Sequence, residues 1–474
     1  MKDILFIYPP YEKRIGGGNL FPLGIGYLIS GVHSRGFTCD YLLCQEIYCN
    51  PSTFVDNLIE ALKKETFRLL AISCITTAAI PFMSDIITAC RKVHPQTPII
   101  LGGQLVSIDY VEELFFSQYD IDAICKGDGD YVVAELIAYI KAGGDLSLCD
   151  FVSTKKKRST KHTVSDINRL PFPFRNHSIV LKDKLSFSRS TYSEKALTMI
   201  TSRGCVYHCN YCVSGCTSNR SFRKRSWKNV AEEIKWIQDQ FDIYSYVFYD
   251  DCFFAYIKSV NEDIEEFLRE IRAQNCKDFV WQMEIRADIV LAITTESWRK
   301  LYAHGCRQIS IGIESCYDDT LKFLGKNYTI ETIRTAFAHL QNSVPEIITR
   351  ATYIIGGPNS DSASIKYIAD FSKEIHLMYI RIHPLELHPG TSLYEQYYGH
   401  GDDWYQYIVS KDTPHSCMYY EKDPESLDRI FSDIRDTYRS FYSSNYWIER
   451  AQAIYGEKYR KVKEEMLDTF VLEE

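Results

Sequence analysis

The sequence predicts an α/β protein built from two successive parallel-sheet units and a helical C-terminal segment. Three observations carry this. Short apolar runs alternate with helical stretches through the first 150 residues. The alternation returns after residue 195, where each apolar run stops at polar or glycine-rich residues. Early in the second lies Arg203-Gly204-Cys205-Val206-Tyr207-His208-Cys209-Asn210-Tyr211-Cys212, which offers three thiols at C-x3-C-x2-C spacing. Strands that alternate with helices form parallel sheets covered on both faces.

Composition bounds the rest. A chain of 474 residues is long enough for two or three domains, and 45% apolar residues fill their cores. A net charge of −8 argues against a general nucleic-acid surface. No apolar run reaches the length of a membrane span. The first eight residues already read as a strand, so no signal peptide is expected. Sixteen scattered cysteines read as reduced thiols of a cytoplasmic protein.

In the first unit, strands are predicted at Ile4–Tyr8, Leu69–Ser73, Pro98–Leu101 and Ala123–Cys125. A helix opens at Pro22, and others cover 82–93 and 131–141. Ligands on such sheets sit beyond the strand C-termini. The loops there are Gly16-Gly17-Gly18, Ile75-Thr76-Thr77, Gly102-Gly103-Gln104 and Gly127-Asp128-Gly129-Asp130. Each glycine has two readings: a turn that needs positive φ, or close backbone approach to a flat ligand. Cys39, Cys44, Cys49, Cys74 and Cys90 read as small buried hydrophobes. Lys155-Lys156-Lys157-Arg158 reads as a solvated linker. Leu170-Pro171-Phe172-Pro173-Phe174 reads as an extended lead-in to the second unit.

In the second unit, Ala196–Thr201 is the strand that feeds the cysteine loop. A helix follows at about 229–240. Further strands are Tyr244–Tyr249, ending at Asp250-Asp251; Phe279–Ile285, ending at Arg286; Gln308–Ile313, ending at Glu314; Thr352–Ile355, ending at Gly356-Gly357; and Met378–Ile382. Six strand–helix units make a partial barrel, whose site residues stand at strand C-termini. Helical periodicity runs from Pro424 to Tyr455 and on to Met466. The tail's Trp404, Tyr405, Tyr407, Tyr419, Tyr420, Tyr438, Tyr442, Tyr446 and Trp447 either pack it on the barrel or line a pocket.

Three thiolates on one short loop suit an iron–sulfur cluster. A [4Fe–4S] cube wants four ligands, so three leave one iron open, unless Cys216 closes the site. A zinc site or unrelated cysteines are the alternatives. The loop and the strand before it resemble the cluster loop of radical S-adenosylmethionine (SAM) enzymes. The likeness runs through Asp250-Asp251, Arg286-Ala287-Asp288, Gly312-Ile313-Glu314-Ser315 and His388-Pro389-Gly390-Thr391. It implies that Cys205, Cys209 and Cys212 hold the cluster, and that Asp250 or Asp251 accepts the methionyl ammonium of SAM. Arg286 and Glu314 would meet its ribose, and backbone about Gly356 its adenine. Tyr207 and Tyr211 flank the ligands as shields, adenine contacts or packing.

The first unit resembles the cobalamin (B12)-binding domain found ahead of the barrel in one branch of that family. The matching pieces are Pro22-Leu23-Gly24-Ile25-Gly26-Tyr27-Leu28, Leu101-Gly102-Gly103-Gln104 and Lys126-Gly127-Asp128-Gly129-Asp130. The implied cobalamin contacts are Gly17, Gly18, Thr76, Thr77, Gly102, Gly103, Gln104, Gly127 and Asp128. The Asp-x-His-x-x-Gly signature that supplies a cobalt ligand in other B12 proteins is absent.

The expectation is therefore a Rossmann-like cobalamin domain (1–150), a linker (151–190), a partial (β/α)6 radical SAM barrel (191–395) and a helical C-terminal region (396–474). The expected activity is methyl transfer to an unactivated carbon by way of a 5′-deoxyadenosyl radical. Cyclisation or rearrangement, a radical SAM enzyme without cobalamin, and a zinc-stabilised binding protein are the alternatives. The expected partners are a small-molecule or peptide substrate and an external flavodoxin- or ferredoxin-type electron donor, with no nucleic acid and no membrane span.

Overall fold

The computed structural model describes residues 1–10, 21–48, 50–182, 195–217, 221–399, 405 and 424–468. Five strands form the first sheet: β1 (Ile4–Tyr8), β2 (Cys39–Leu43), β3 (Leu70–Ser73), β4 (Ile99–Gly102) and β5 (Ala123–Cys125). Their order is β2-β1-β3-β4-β5, and every pairing is parallel. Period-two alternation feeds two cores. Leu5, Ile7, Leu70 and Ile72 pack toward the helices Pro51–Leu62, Ile80–Val93 and Asp109–Gln118. Ile4, Phe6 and Ile100 pack toward Leu23–Ser34 and Val132–Lys141. The order reverses direction between β1 and β3, which opens a crevice at their C-terminal ends.

β2 has no counterpart among the sequence-predicted strands. It is an edge strand, and all five of its residues are only partly buried, so no apolar run marks it. The stretch expected as a linker after residue 150 is partly a continuation of this unit. Ser153 pairs with Ile124, and His162 with Gly127, beside β5. Lys155 and Lys156 remain exposed between those pairings. Leu170 to Phe174 runs on without strand or helix, and Phe174 N donates to Gly26 O at 2.9 Å.

The second sheet holds β6 (Leu197–Met199), β9 (Ser245–Phe248), β10 (Val280–Ile285), β11 (Cys306–Glu314), β12 (Ile348–Ile355) and β13 (Tyr379–Pro384). All are parallel, in the order β13-β12-β11-β10-β9-β6. A small ladder, β7 (Ser202–Arg203) with β8 (Arg223–Lys224), closes the cysteine loop. Trp281, Met283, Ile285, Ile309 and Ile311 face the helical shell. The alternate positions carry Gln282, Glu284, Ser310 and Arg350 on the concave face. There Arg350 Nε donates to Ser310 Oγ at 3.2 Å.

The helices Pro424–Tyr442, Asn445–Tyr455 and Tyr459–Asp468 lie along the β13 side. Ile382 N donates to Tyr438 Oη (2.6 Å), Ile380 N to Tyr442 Oη (3.1 Å), and Tyr442 Oη back to Ile380 O (3.2 Å). Trp447 Nε1 donates to Met378 O (2.9 Å), and Tyr446 Oη to Leu377 O (3.0 Å). These aromatics therefore pack the tail on the barrel and satisfy backbone groups that an edge strand would otherwise leave unpaired. Trp404, Tyr407, Tyr419 and Tyr420 lie outside the described residues. Among the described residues, no helix is long and apolar enough to cross a membrane.

The two units share a core. Leu324, Leu385, Leu387 and Tyr394 of the second join the apolar cluster of the first. Tyr110 stacks on Tyr394, and its hydroxyl accepts from Gly390 N at 2.7 Å.

Candidate functional site

The C-terminal end of the first sheet and the ends of β6 and β9 in the second open onto one cavity of about 390 Å³. The first unit lines it with Tyr8, Ser73, Ile75, Gly102, Gly103, Gln104 and the Gly127–Asp130 turn. The second lines it with Ser202, Arg203, Gly204, Ser214, Tyr249 and Asp251. Lys161, His162 and Thr163, within the stretch expected as a linker, close one side.

The glycines divide. A Cβ on Gly103 (φ +115°) would lie 2.5 Å from Cys74 O. One on Gly127 (φ +82°) would collide with His162 O. Those two are demanded by the protein's own backbone. Gly102 has no positive φ, and its nearest neighbour would be Cys125 O at 3.9 Å. Its missing side chain keeps cavity space free, as a close-lying flat ligand requires. Thr76 and Thr77 are not among the lining residues, and Thr77 is buried at the start of a short 3₁₀ turn. Gly17 and Gly18 lie outside the described residues. Asp128 is already engaged: burial works against its charge, but Arg223 and Arg203 hold its carboxyl below the usual range.

The cysteine loop borders the cavity. Cys205, Cys209 and Cys212 form no disulfide, and all three are partly exposed. Burial pushes Cys205 and Cys212 up, a cost that metal coordination would reverse. Among the described residues no three His, Cys, Asp or Glu side chains gather round the position of a single ion. The fit to a cluster rests on the donor set, three accessible thiols on one loop. The side chain of Cys216 lies outside the described residues. Cys44, Cys74 and Cys90 are buried, and burial pushes Cys74 and Cys90 up to about 12, as inert core thiols. Cys49 lies outside the described residues.

The loop is fastened at several points. Asn210 N donates to Leu324 O (2.9 Å), and Leu393 N donates to Asn210 O (3.0 Å). Tyr207 Oη donates to Ala255 O at 3.2 Å, and the Arg286 guanidinium lies 3.7 Å from the Tyr207 ring centroid. Arg286 is held by both oxygens of Asp288 (3.0 and 2.9 Å), and its Nη1 is 4.0 Å from Cys209 Sγ. Tyr211 Oη donates to Glu314 Oε1 at 2.8 Å, where Lys326 Nζ also arrives at 2.9 Å. Glu314 sits at φ +64°, a strained conformation for a residue with a side chain. Lys326 and the Arg203–Asp130 pair were not singled out from the sequence.

The two aspartates of the Asp250-Asp251 pair part company. Asp250 is buried, and its Oδ1 accepts from Thr201 N (2.8 Å), Thr201 Oγ1 (2.9 Å) and Ser202 Oγ (2.6 Å). Its Oδ2 is buried without a hydrogen-bond partner. Burial outweighs those donors and raises its carboxyl to about 6. Asp251 is exposed, lines the cavity and accepts from Ser214 Oγ at 2.6 Å. Gly356 N is taken by Ser360 Oγ (2.8 Å).

Both units of the chain are similar to known proteins. Residues 16–137 match the model of the B12 binding domain, and residues 199–371 match that of the radical SAM superfamily. A Pyrococcus horikoshii protein named as an uncharacterized methyltransferase is 24% identical over 405 residues, 83% of this chain and 82% of that one. An anaerobic magnesium-protoporphyrin IX monomethyl ester cyclase of Synechocystis is 25% identical over 290 residues, 59% of this chain and 54% of that one. Among solved structures, the methyltransferase TsrM of Kitasatospora setae, with tryptophan and a SAM analogue bound, aligns at TM-score 0.63 and 17% identity, covering 83% of this chain and 75% of that one. OxsB with aqua-cobalamin and SAM bound aligns at TM-score 0.61 and 16% identity, covering 99% of this chain and 71% of that one. At such identities the structural likeness speaks to fold.

Proposed function

From the premise that this chain belongs to the radical SAM superfamily and carries a B12-binding domain ahead of its barrel, we propose that it is a cobalamin-dependent methyltransferase acting on an unactivated carbon. The observation that carries the reading is the shared cavity, where the ligand edge of the first sheet faces the cysteine loop. When bound, a [4Fe–4S] cluster, SAM and cobalamin supply one-electron cleavage and a transferable methyl group.

In this reading Cys205, Cys209 and Cys212 would hold the cluster, which would supply the electron that cleaves SAM. Asp251, exposed beside the loop, receives the SAM ammonium, while Asp250 fixes the loop base from below. Arg286 and Glu314 orient the nucleoside, with Tyr207 and Tyr211 excluding water. Gly102, Gly103, Gln104 and Gly127 form the cobalamin wall. The substrate occupies the concave face of the barrel. Its polar lining of Gln282, Glu284, Ser310 and Arg350 supports a polar small molecule or peptide. A flavodoxin- or ferredoxin-type protein supplies electrons.

The test is anaerobic reconstitution with iron, sulfide and hydroxocobalamin, followed by reaction with methyl-labelled SAM and a low-potential reductant. A bound corrin spectrum, S-adenosylhomocysteine and label on the corrinoid are expected. No bound corrin would remove cobalamin from the account. 5′-Deoxyadenosine without methyl transfer would favour cyclisation or rearrangement.

A further inference from the structure

The loop that carries the three cysteines is closed by a two-residue ladder in which Arg203 stands directly opposite Arg223. Like charges opposite one another on paired strands repel, so this closure is unfavourable by itself. The first domain removes the repulsion. Arg203 makes two parallel bonds to Asp130, Nη1 to Oδ2 at 2.7 Å and Nη2 to Oδ1 at 2.9 Å. Its Nη1 also reaches Asp128 Oδ1 at 3.2 Å. Arg223 Nη1 donates to the second oxygen of Asp128. That carboxylate is in turn fixed by Val164 N at 2.8 Å.

The four side chains are between 5% and 17% exposed, so salt screens them little. A bidentate guanidinium–carboxylate pair fixes direction as well as distance, which lysine does not reproduce. Both aspartates belong to the turn that lines the cavity, and Gly204, next to Arg203, lines it from the other side. The wall of the cavity and the closure of the cysteine loop are therefore made by the same groups.

We propose that Asp128, Asp130, Arg203 and Arg223 form a clamp that orients the cysteine loop against the cavity, so that a corrinoid in the cavity and a cluster on the loop favour one another's binding. Arg203 acts here as a positioning residue. The inference rests on the cobalamin reading above. Coupling of this kind is reciprocal: the factor by which the cluster tightens corrinoid binding equals the factor by which corrinoid stabilises the cluster.

The full-length protein, with and without a reconstituted cluster, is titrated with hydroxocobalamin and followed by its visible spectrum. The cluster-loaded form is expected to bind roughly tenfold tighter. In Arg203→Gln and Asp128→Asn that ratio falls below about twofold, and Arg203→Lys is intermediate. The electron paramagnetic resonance signal of the cluster, reduced without SAM by excess low-potential reductant that also takes the added hydroxocobalamin to its diamagnetic cob(I) form, shifts on that addition in the wild type and stays put in Arg203→Gln. A wild-type ratio near one overturns the clamp, as do variants that keep the wild-type ratio and signal shift. If the wild type binds no hydroxocobalamin in either form, the cobalamin reading fails instead. The clamp is then judged on amide hydrogen exchange of the cysteine loop in cofactor-free protein. Asp128→Asn must speed that exchange, and unchanged exchange overturns the clamp.

Discussion

Tyr211 donates its phenolic proton to Glu314 at 2.8 Å, and so ties the residue before the third cysteine to the end of a barrel strand 103 positions away. Glu314 also neutralises Lys326, and both charged side chains are nearly inaccessible (7% and 5%). Burial works against the Lys326 charge, but Glu314 holds its pKa above the usual lysine value. Glu314→Gln leaves that ammonium buried without its counter-charge, at a cost of about 3–5 kcal/mol. Tyr211→Phe removes one bond to a charged group, at about 1.5–3 kcal/mol. Denaturant melts of the two variants should rank in that order.

The buried Asp250 makes stability depend on pH. Its carboxyl is raised from 3.8 to about 6 by burial, so the folded state holds the proton more tightly than the unfolded chain. Its contribution to stability is greatest below the unfolded value and is lost as pH rises through about 6. The displacement is worth roughly 3 kcal/mol. Asp250→Asn abolishes this dependence. Melts at pH 4 and pH 7 should show the wild type losing about that much relative to the variant.

The cavity glycines should behave differently. Gly103→Ala and Gly127→Ala put a Cβ onto backbone oxygens at positive φ and destabilise the first domain. Gly102→Val meets no protein atom at its Cβ nearer than 3.9 Å. It should leave the melting temperature close to wild type while weakening hydroxocobalamin binding roughly tenfold or more. Calorimetry beside a corrinoid titration separates the two effects.

The tail protects the edge of the barrel. Tyr442→Phe leaves both the N–H and the C=O of Ile380 without their partner, and Tyr438→Phe leaves the N–H of Ile382. Each orphaned group costs about 1–3 kcal/mol. Faster amide exchange at Ile380 and Ile382 is expected, with the larger loss of stability in Tyr442→Phe.

Much of this was legible in the sequence wherever apolar runs were continuous. Ile4–Tyr8, Leu69–Ser73 and Phe279–Ile285 fall on strands because each is buried on at least one full face. β2 was not legible, since Cys39-Asp40-Tyr41-Leu42-Leu43 is an edge strand with no buried residue. The first half of β12 was not legible, since Arg350 interrupts its apolar run and turns to the polar concave face. Neighbouring residues such as Asp250 and Asp251 look alike in sequence. Both follow the end of β9 at Phe248, and the loop there turns Asp250 into the protein and Asp251 to the cavity. The Arg203–Asp130 pair joins groups 73 positions apart, and no local pattern reports a contact of that range.

The central claim is that an iron–sulfur cluster on Cys205, Cys209 and Cys212 drives SAM cleavage. The most direct measurement is 5′-deoxyadenosine formation by reconstituted protein given SAM and dithionite, with iron and sulfide assayed on the same samples. The account predicts steady production by the wild type, and neither bound iron nor product from the protein with all three cysteines changed to alanine. A triple variant that still forms 5′-deoxyadenosine at the wild-type rate would contradict it.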